Sequence, residues 1–313
     1  ARAAAVVRDG VRARLALELT MTTTAAARRT ARTSPVAKRS GAIARGAALL
    51  FALAWSLAPV YWMLATSFKT ELEATRLEPT LWPTHPTLAN YAGLSGASLP
   101  FVAFFINTVV SCLLTAVIAL AIATPAAYAL SRGRFLLRGP VSYGVLIFRM
   151  LPLVVTLAPL YLMLMAAHLL DSTAGLVVGF TTFGLPFAVW MMKTFIDAVP
   201  IEIEEAARVD GYGRLQILLK VVLPLVLPGL LTTATFVFME AWNNLIYPLT
   251  FMTSLPKQTL PAALVLTFTG QFKTDWGGMM AASVLTTVPL MIAFFAVQRS
   301  IVRGLVAGAL AGA

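Results

Sequence analysis

Few residues in this chain could do chemistry, and most of them stand where charge is costly. Arg149 and Glu240 each interrupt a long apolar stretch, and Asn243 and Asn244 follow Glu240 at three and four residues. On a helix that spacing puts 240, 243 and 244 on one face. A carboxylate and two amides there offer donors and acceptors to a hydroxyl-rich solute; bridging between helices is the plainer alternative. Arg149 could line the same path, pair with Glu240, or run its guanidinium back to the headgroups. A second concentration of charge, Glu202, Glu204, Glu205, Arg208 and Asp210, lies between Pro200 and Gly211. His85 and His168 stand far apart and Cys112 is the single cysteine. That supply gives no disulfide, metal cage or nucleophile with its base, so no catalytic or metal-ligating residue is assigned.

The elements that position these groups follow from composition. Of 313 residues 59% are hydrophobic and 12% charged, and mean hydropathy is +0.82. Soluble domains carry roughly 25% charged residues, so too few charges are present to cover two of them. A spanning helix needs about 20 mostly apolar residues. Windows of that kind run over 46–68, 101–130, 141–167, 173–192, 222–247 and 276–298. The expectation is an all-α integral membrane protein with six transmembrane helices. Gly175 and Gly179 in the fourth form a G-x-x-x-G pair, read as close packing within this chain.

Orientation follows from the basic residues. With the N-terminus inside, the inner segments hold nineteen of the 24 Lys and Arg, and the outer segments four. Both termini are therefore expected in the cytoplasm, and the net charge of +11 reflects membrane orientation, with no nucleic acid as partner. Residues 1–45 read as a basic, disordered cytoplasmic tail facing membrane lipid. Met21 opens a plausible start, so 1–20 could lie upstream of the true initiator and are assigned no function. Outside, 69–100 reads as an irregular loop with short helices. Within 248–275, the stretch Leu260 to Phe268 is too short to span and reads as a re-entrant or surface helix. His168 and Asp171 fall at an outer span end, with an interfacial role.

The inner segment between spans four and five is the most informative. Pro200 suits a first helical position, the glutamates suit the positive end of the helix dipole, and Gly211 suits the stop. Eleven residues at ~1.5 Å each give a short capped rod of about 16 Å. Glu205-Ala206-Ala207, Gly211 after three residues, then Val221-Val222-Leu223-Pro224 after nine more resemble the EAA loop of binding-protein-dependent ABC import permeases. The resemblance extends over 46–313. Trp242-Asn243-Asn244 through Pro248, and the end from Gln298-Arg299 to Gly304-Leu305 and Gly308-Ala309, are similar to carbohydrate-uptake permeases of the second maltose permease type. Ala311 stands where that subgroup has Lys, which puts in doubt the tail's contact with the ATPase.

The resemblance implies a permease subunit that forms a translocation path with a second permease subunit. It also implies that residues 200–224 couple the path to two ATP-binding subunits. Glu205, Ala206, Ala207, Asp210, Gly211 and Pro224 would be the coupling residues; Arg149, Glu240, Asn243 and Asn244 would line the path. The chain has no phosphate-cradling G-x-x-x-x-G-K-[ST] loop, so ATP and Mg are expected on the partner ATPases and no cofactor here. An extracytoplasmic sugar-binding protein would deliver a di- or oligosaccharide of trehalose or maltose type. A glycerol-phosphate importer remains open, as does, in a different class, a self-sufficient secondary transporter. The latter would need paired broken helices in internal repeats, and Glu205–Pro224 has no second copy.

Overall fold

The computed structural model describes residues 35–94, 100–270 and 274–310, with side chains from 45 onward except at 293, 294 and 296–310. Most of the expected tail 1–45, including 1–20, and Ala311 lie outside the described residues. Residues up to Tyr61 form one unit and those from Trp62 onward another. The first helix, α1 (Pro35–Ser67), belongs in part to each. In its first part, Leu49, Leu50, Phe51 and Trp55 are all exposed, as on a helix whose solvent is hydrocarbon.

The described residues of the second unit are mostly helical, with an isolated antiparallel bridge between Thr269 and Thr274. Two short helices, α2 (Glu71–Ala74) and α3 (Ala89–Leu94), lead to α4 (Phe101–Arg132), α5 (Arg138–Met150), α6 (Leu153–Ala166) and α7 (Thr173–Asp197). Then come α8 (Ile201–Val209), α9 (Arg214–Ile217), α10 (Leu227–Trp242), α11 (Ile246–Phe251), α12 (Leu260–Phe268) and α13 (Trp276–Leu310). Three described helices, Arg45–Ser67, Phe101–Arg132 and Thr173–Asp197, are long and apolar enough to cross a membrane, and the described apolar part of α13 is Trp276–Ile292.

The remaining two expected spans are broken. The third bends by 99° between Arg138–Met150 and Leu153–Ala166. Leu151 there is extended (φ −66°, ψ 133°), because the ring of Pro152 disfavours helical geometry in the residue before it. The fifth bends by 80° between Arg214–Leu225 and Leu227–Trp242. Five π-helical residues, Leu218–Val222, precede that bend, and Pro224 and Pro228 each withhold an amide from the helical ladder.

The core is organised by α4 and α7, with α10 against both. Ala119, Ala123 and Ala127 recur every fourth residue along α4 with no exposed surface, and Ala188 of α7 is equally buried. Lipid tails are as apolar as leucine, so helices in a bilayer associate through close contact of small residues. Gly179 gives α7 the same closeness: a Cβ there would fall 2.8 Å from the ring of Phe251. Its place is against this chain's own α11, as expected.

Two of the loop regions are tied by carboxylates. Glu73 Oε1 accepts hydrogen bonds from Thr80 Oγ1 (2.7 Å) and the Thr84 amide (2.9 Å), which hold its carboxyl down at about 2. Asp171, in left-handed backbone at φ 55°, accepts from the Thr253 and Ser254 amides (3.0 and 2.9 Å). It also accepts from Ser254 Oγ (2.6 Å) and Lys257 Nζ (2.8 Å). Lys257 and Ser254 hold its carboxyl well below the usual carboxylate range. The interfacial residue expected from sequence is thus a staple between two loops. The segment Leu260 to Phe268 is helical over the expected bounds, with Leu260, Ala262, Ala263 and Phe268 buried; Thr108 Oγ1 of α4 accepts from the Leu260 amide (2.8 Å).

Both carboxyl groups are lowered in the native state. Their stabilisation is complete above the unfolded values near ~4 and is lost as pH falls through the native values. The Asp171→Ala chain should therefore exchange the Thr253 and Ser254 amides about tenfold faster at neutral pH, measured by hydrogen–deuterium exchange. Wild-type protection in that variant would mean that the loop holds itself.

Candidate functional site

The short helix α8 has nine residues, Ile201–Val209, two fewer than expected, because Pro200 is the extended N-cap (φ −57°, ψ 134°) and Asp210 the C-cap rather than helical residues. Its stop is built as the sequence suggests. Gly211 takes φ 86°, its amide donates to Arg208 O and the Tyr212 amide to Ala207 O, both at 3.1 Å. Those two bonds are a Schellman closure, which needs the left-handed residue that glycine supplies at least cost. Pro224, also singled out from sequence, lies away from α8, in the bent stretch before α10.

What fixes α8 to the membrane helices went unread in the sequence. Glu204, rather than Glu205, is the buried acid, at 1% exposure. Its Oε1 receives Arg132 Nε at 2.7 Å and its Oε2 the Tyr128 hydroxyl at 2.9 Å. Arg132 ends α4, and its Nη2 also donates to Ile196 O (2.9 Å) in the last turn of α7 and to Val199 O (2.6 Å) just after it. Ala207 shares the buried face and packs with Met192, Ile196, Ile217 and Val222. Glu205, Ala206 and Asp210 are exposed. The available signal was the three-residue step from Glu204 to Ala207, which puts a carboxylate on the face presumed to pack.

The polar groups of the apolar stretches also meet. Arg149 Nη1 lies 2.6 Å from Glu240 Oε1, an ion pair without the alignment of a hydrogen bond. The guanidinium stands 5.0 and 5.4 Å from the rings of Phe183 and Phe187, so both its charge and its faces are partnered. Arg149 falls in the last turn of α5, where the helix dipole favours a cation. Of the readings open in the sequence, the pairing with Glu240 is the one observed.

The reason given for grouping Asn243 and Asn244 with Glu240 needs correction. The helix stops at Trp242 and Asn243 is its C-cap, so the three do not share a continuous helical face. Asn243 Nδ2 donates to Met239 O (2.8 Å), and Asn244 Oδ1 accepts from the Tyr247 amide (3.0 Å) that opens α11. They nevertheless border one cavity of about 700 Å³ with Arg149, Glu240, Phe187 and Phe236. No group of metal-ligating side chains occurs among the described residues.

Residues 119–306 match the family model described as binding-protein-dependent transport system inner membrane component. The chain is similar to the inner membrane ABC transporter permease protein YcjP of Escherichia coli K12, 37% identical over 82% of this chain and 92% of that one. It is similar also to the trehalose transport system permease protein SugB of Mycobacterium tuberculosis, 34% identical over 82% and 93%. Among solved structures, a bacterial ABC transporter involved in import of the acidic polysaccharide alginate superposes with a TM-score of 0.72. That match is 23% identical and covers 85% of this chain and 98% of the other.

Removing one partner of a buried ion pair strands the other, at a cost of about 3 kcal/mol. Glu204→Ala should therefore lower the unfolding midpoint strongly, and Glu205→Ala hardly at all. Cys112 has no exposed surface, so labelling of this thiol during heating reports unfolding directly. Gly211→Ala, forced into left-handed backbone, should cost about 1 kcal/mol. Equal melting of the Glu204→Ala and Glu205→Ala chains would remove the anchor from the description.

Proposed function

This chain belongs to the family of binding-protein-dependent transport system inner membrane components, and from that premise we propose that it is the permease subunit of an ATP-driven importer of di- or oligosaccharides. It is an ABC importer permease and a multi-pass membrane protein. In the proposed arrangement residues 46–313 form six spans, two of them bent, with both termini cytoplasmic and 1–45 as a basic tail. A second permease subunit completes the path and two ATP-binding subunits hold ATP and Mg. An extracytoplasmic binding protein delivers the sugar.

The observation that carries this reading is α8, closed at its C-terminal end by Gly211 and clamped by Arg132 to the ends of α4 and α7. A short rigid rod with its own pair of anchors can pass a push from a docked ATPase to the spans. Glu205, Ala206 and Asp210 are the outward residues for that contact; Ala207 seats the rod, Gly211 turns the chain back, and Pro224 lies where the fifth span bends. Family membership sets aside the self-sufficient secondary transporter.

For the solute, the chemistry of the cavity favours a neutral sugar. Arg149 is already neutralised by Glu240, and a phosphate ester would have to compete for that cation. Amides and a paired carboxylate instead suit hydroxyl groups. This favours trehalose- or maltose-type sugars over glycerol phosphate, in line with the trehalose system to which SugB belongs.

Purification of the tagged chain from mild detergent should bring down a P-loop ATPase and a second permease. Glu205→Lys with Gly211→Asp should abolish uptake while membrane insertion persists. Wild-type uptake by that double variant would sink the coupling assignment. Alanine at Glu240, Asn243 and Asn244 should change substrate selectivity or sugar-stimulated ATPase activity; unchanged kinetics at all three would reduce the cavity to a packing feature.

A further inference from the structure

Beside α8 runs a basic groove to which nothing above assigns a ligand. Two cavities, of about 520 and 590 Å³, both border on Arg132, Gly133, Arg134, Arg208 and Arg214. Arg132 is committed to Glu204. Arg134, Arg208 and Arg214 are exposed, and among the described residues no carboxylate is paired with them. Glu204 and Glu205 are the acids lining the groove, and the first is already neutralised. An anion is what three such guanidinium groups bind best.

The other walls define what carries that anion. Pro125 and Ala129 line the first cavity with Leu215 and Leu218. Pro125 lies seven residues before the end of α4, about 10 Å along it by helical rise, on the side where its apolar span begins. The loop that follows α4 exposes Leu136 at 96% and Leu137 at 60%, and Leu215 is 66% exposed. Leucines between arginines at the end of a span suit the boundary between acyl chains and headgroups.

We propose that this groove binds an anionic phospholipid of the inner leaflet, its phosphate held by Arg134, Arg208 and Arg214 and its glycerol and upper acyl carbons against Pro125, Ala129 and Leu215. Basic pockets between helices on the cytoplasmic side are suited to such headgroups. The bound lipid would then touch both α4 and the segment that follows α8. Leaflet composition would thereby bear on how firmly α8 is held.

Native mass spectrometry of the chain purified with its partner subunits tests this, using equimolar phosphatidylglycerol and phosphatidylcholine as probes. Wild type should retain phosphatidylglycerol several-fold over phosphatidylcholine. Arg134→Gln with Arg214→Gln should cut that preference roughly tenfold or more, while Arg134→Lys keeps most of it. Leu136→Asp, on the exposed loop, should lower retention with the Cys112 melting profile unchanged. Equal retention of the two lipids by wild type, or full preference in the Gln double variant, overturns the proposal. So does displacement of the lipid by millimolar inorganic phosphate, which would mean a site for a soluble anion. Loss of the ATPase subunit from the double variant with lipid preference intact would assign the groove to a protein and overturn it equally.

Discussion

The guanidinium of Arg132 closes the ends of three helices at once. It terminates α4, donates to the carbonyls of Ile196 in the last turn of α7 and Val199 just beyond it, and donates to the carboxylate of Glu204 on α8. Burying a charge is tolerable only when such partners replace its water, and here both members of the pair are satisfied several times over. Ser131, next to it, donates to Asp197 on α7. In the coupling role proposed for α8, a push on it would reach α4 and α7 together. The packed alanines between those two helices keep them from responding separately.

Deformation must then be taken up elsewhere, and the two bent spans provide for it. Leu151-Pro152 and the stretch from Leu218 to Pro228 interrupt the helical ladder where proline removes donors. Arg149 and Glu240 lie on either side of these breaks, on α5 and α10, and their ion pair joins one broken span to the other across the 700 Å³ cavity. Irregular backbone at membrane depth is tolerated where it is buried in protein or borders a cavity. Both breaks therefore have a place in the fold that an unbroken span would not need.

Much of this was legible in the residues. Apolar runs located the helices, Gly211 located the end of α8, and the isolation of Arg149 and Glu240 in apolar sequence made their pairing one of three open readings. Hydropathy does not reveal a bend, because it measures how apolar a stretch is and not the direction its backbone takes. The grouping of Asn243 and Asn244 with Glu240 was right about their neighbourhood and wrong about its cause, since the helix stops one residue before Asn243. The choice between Glu204 and Glu205 depends on which face meets Arg132, seventy-two residues earlier. Local spacing alone does not carry that distance.

The alanine stripe of α4 has a consequence for bioenergetics. A membrane that stores an ion gradient cannot tolerate a leak through its transporters. Ala119, Ala123 and Ala127 bring α4 against α7 with no exposed surface at any of the three positions, too close for a file of water to form along the seam. A larger side chain would part the helices and leave voids along a seam that is now closed. The smallness of these residues therefore serves electrical insulation as much as adhesion.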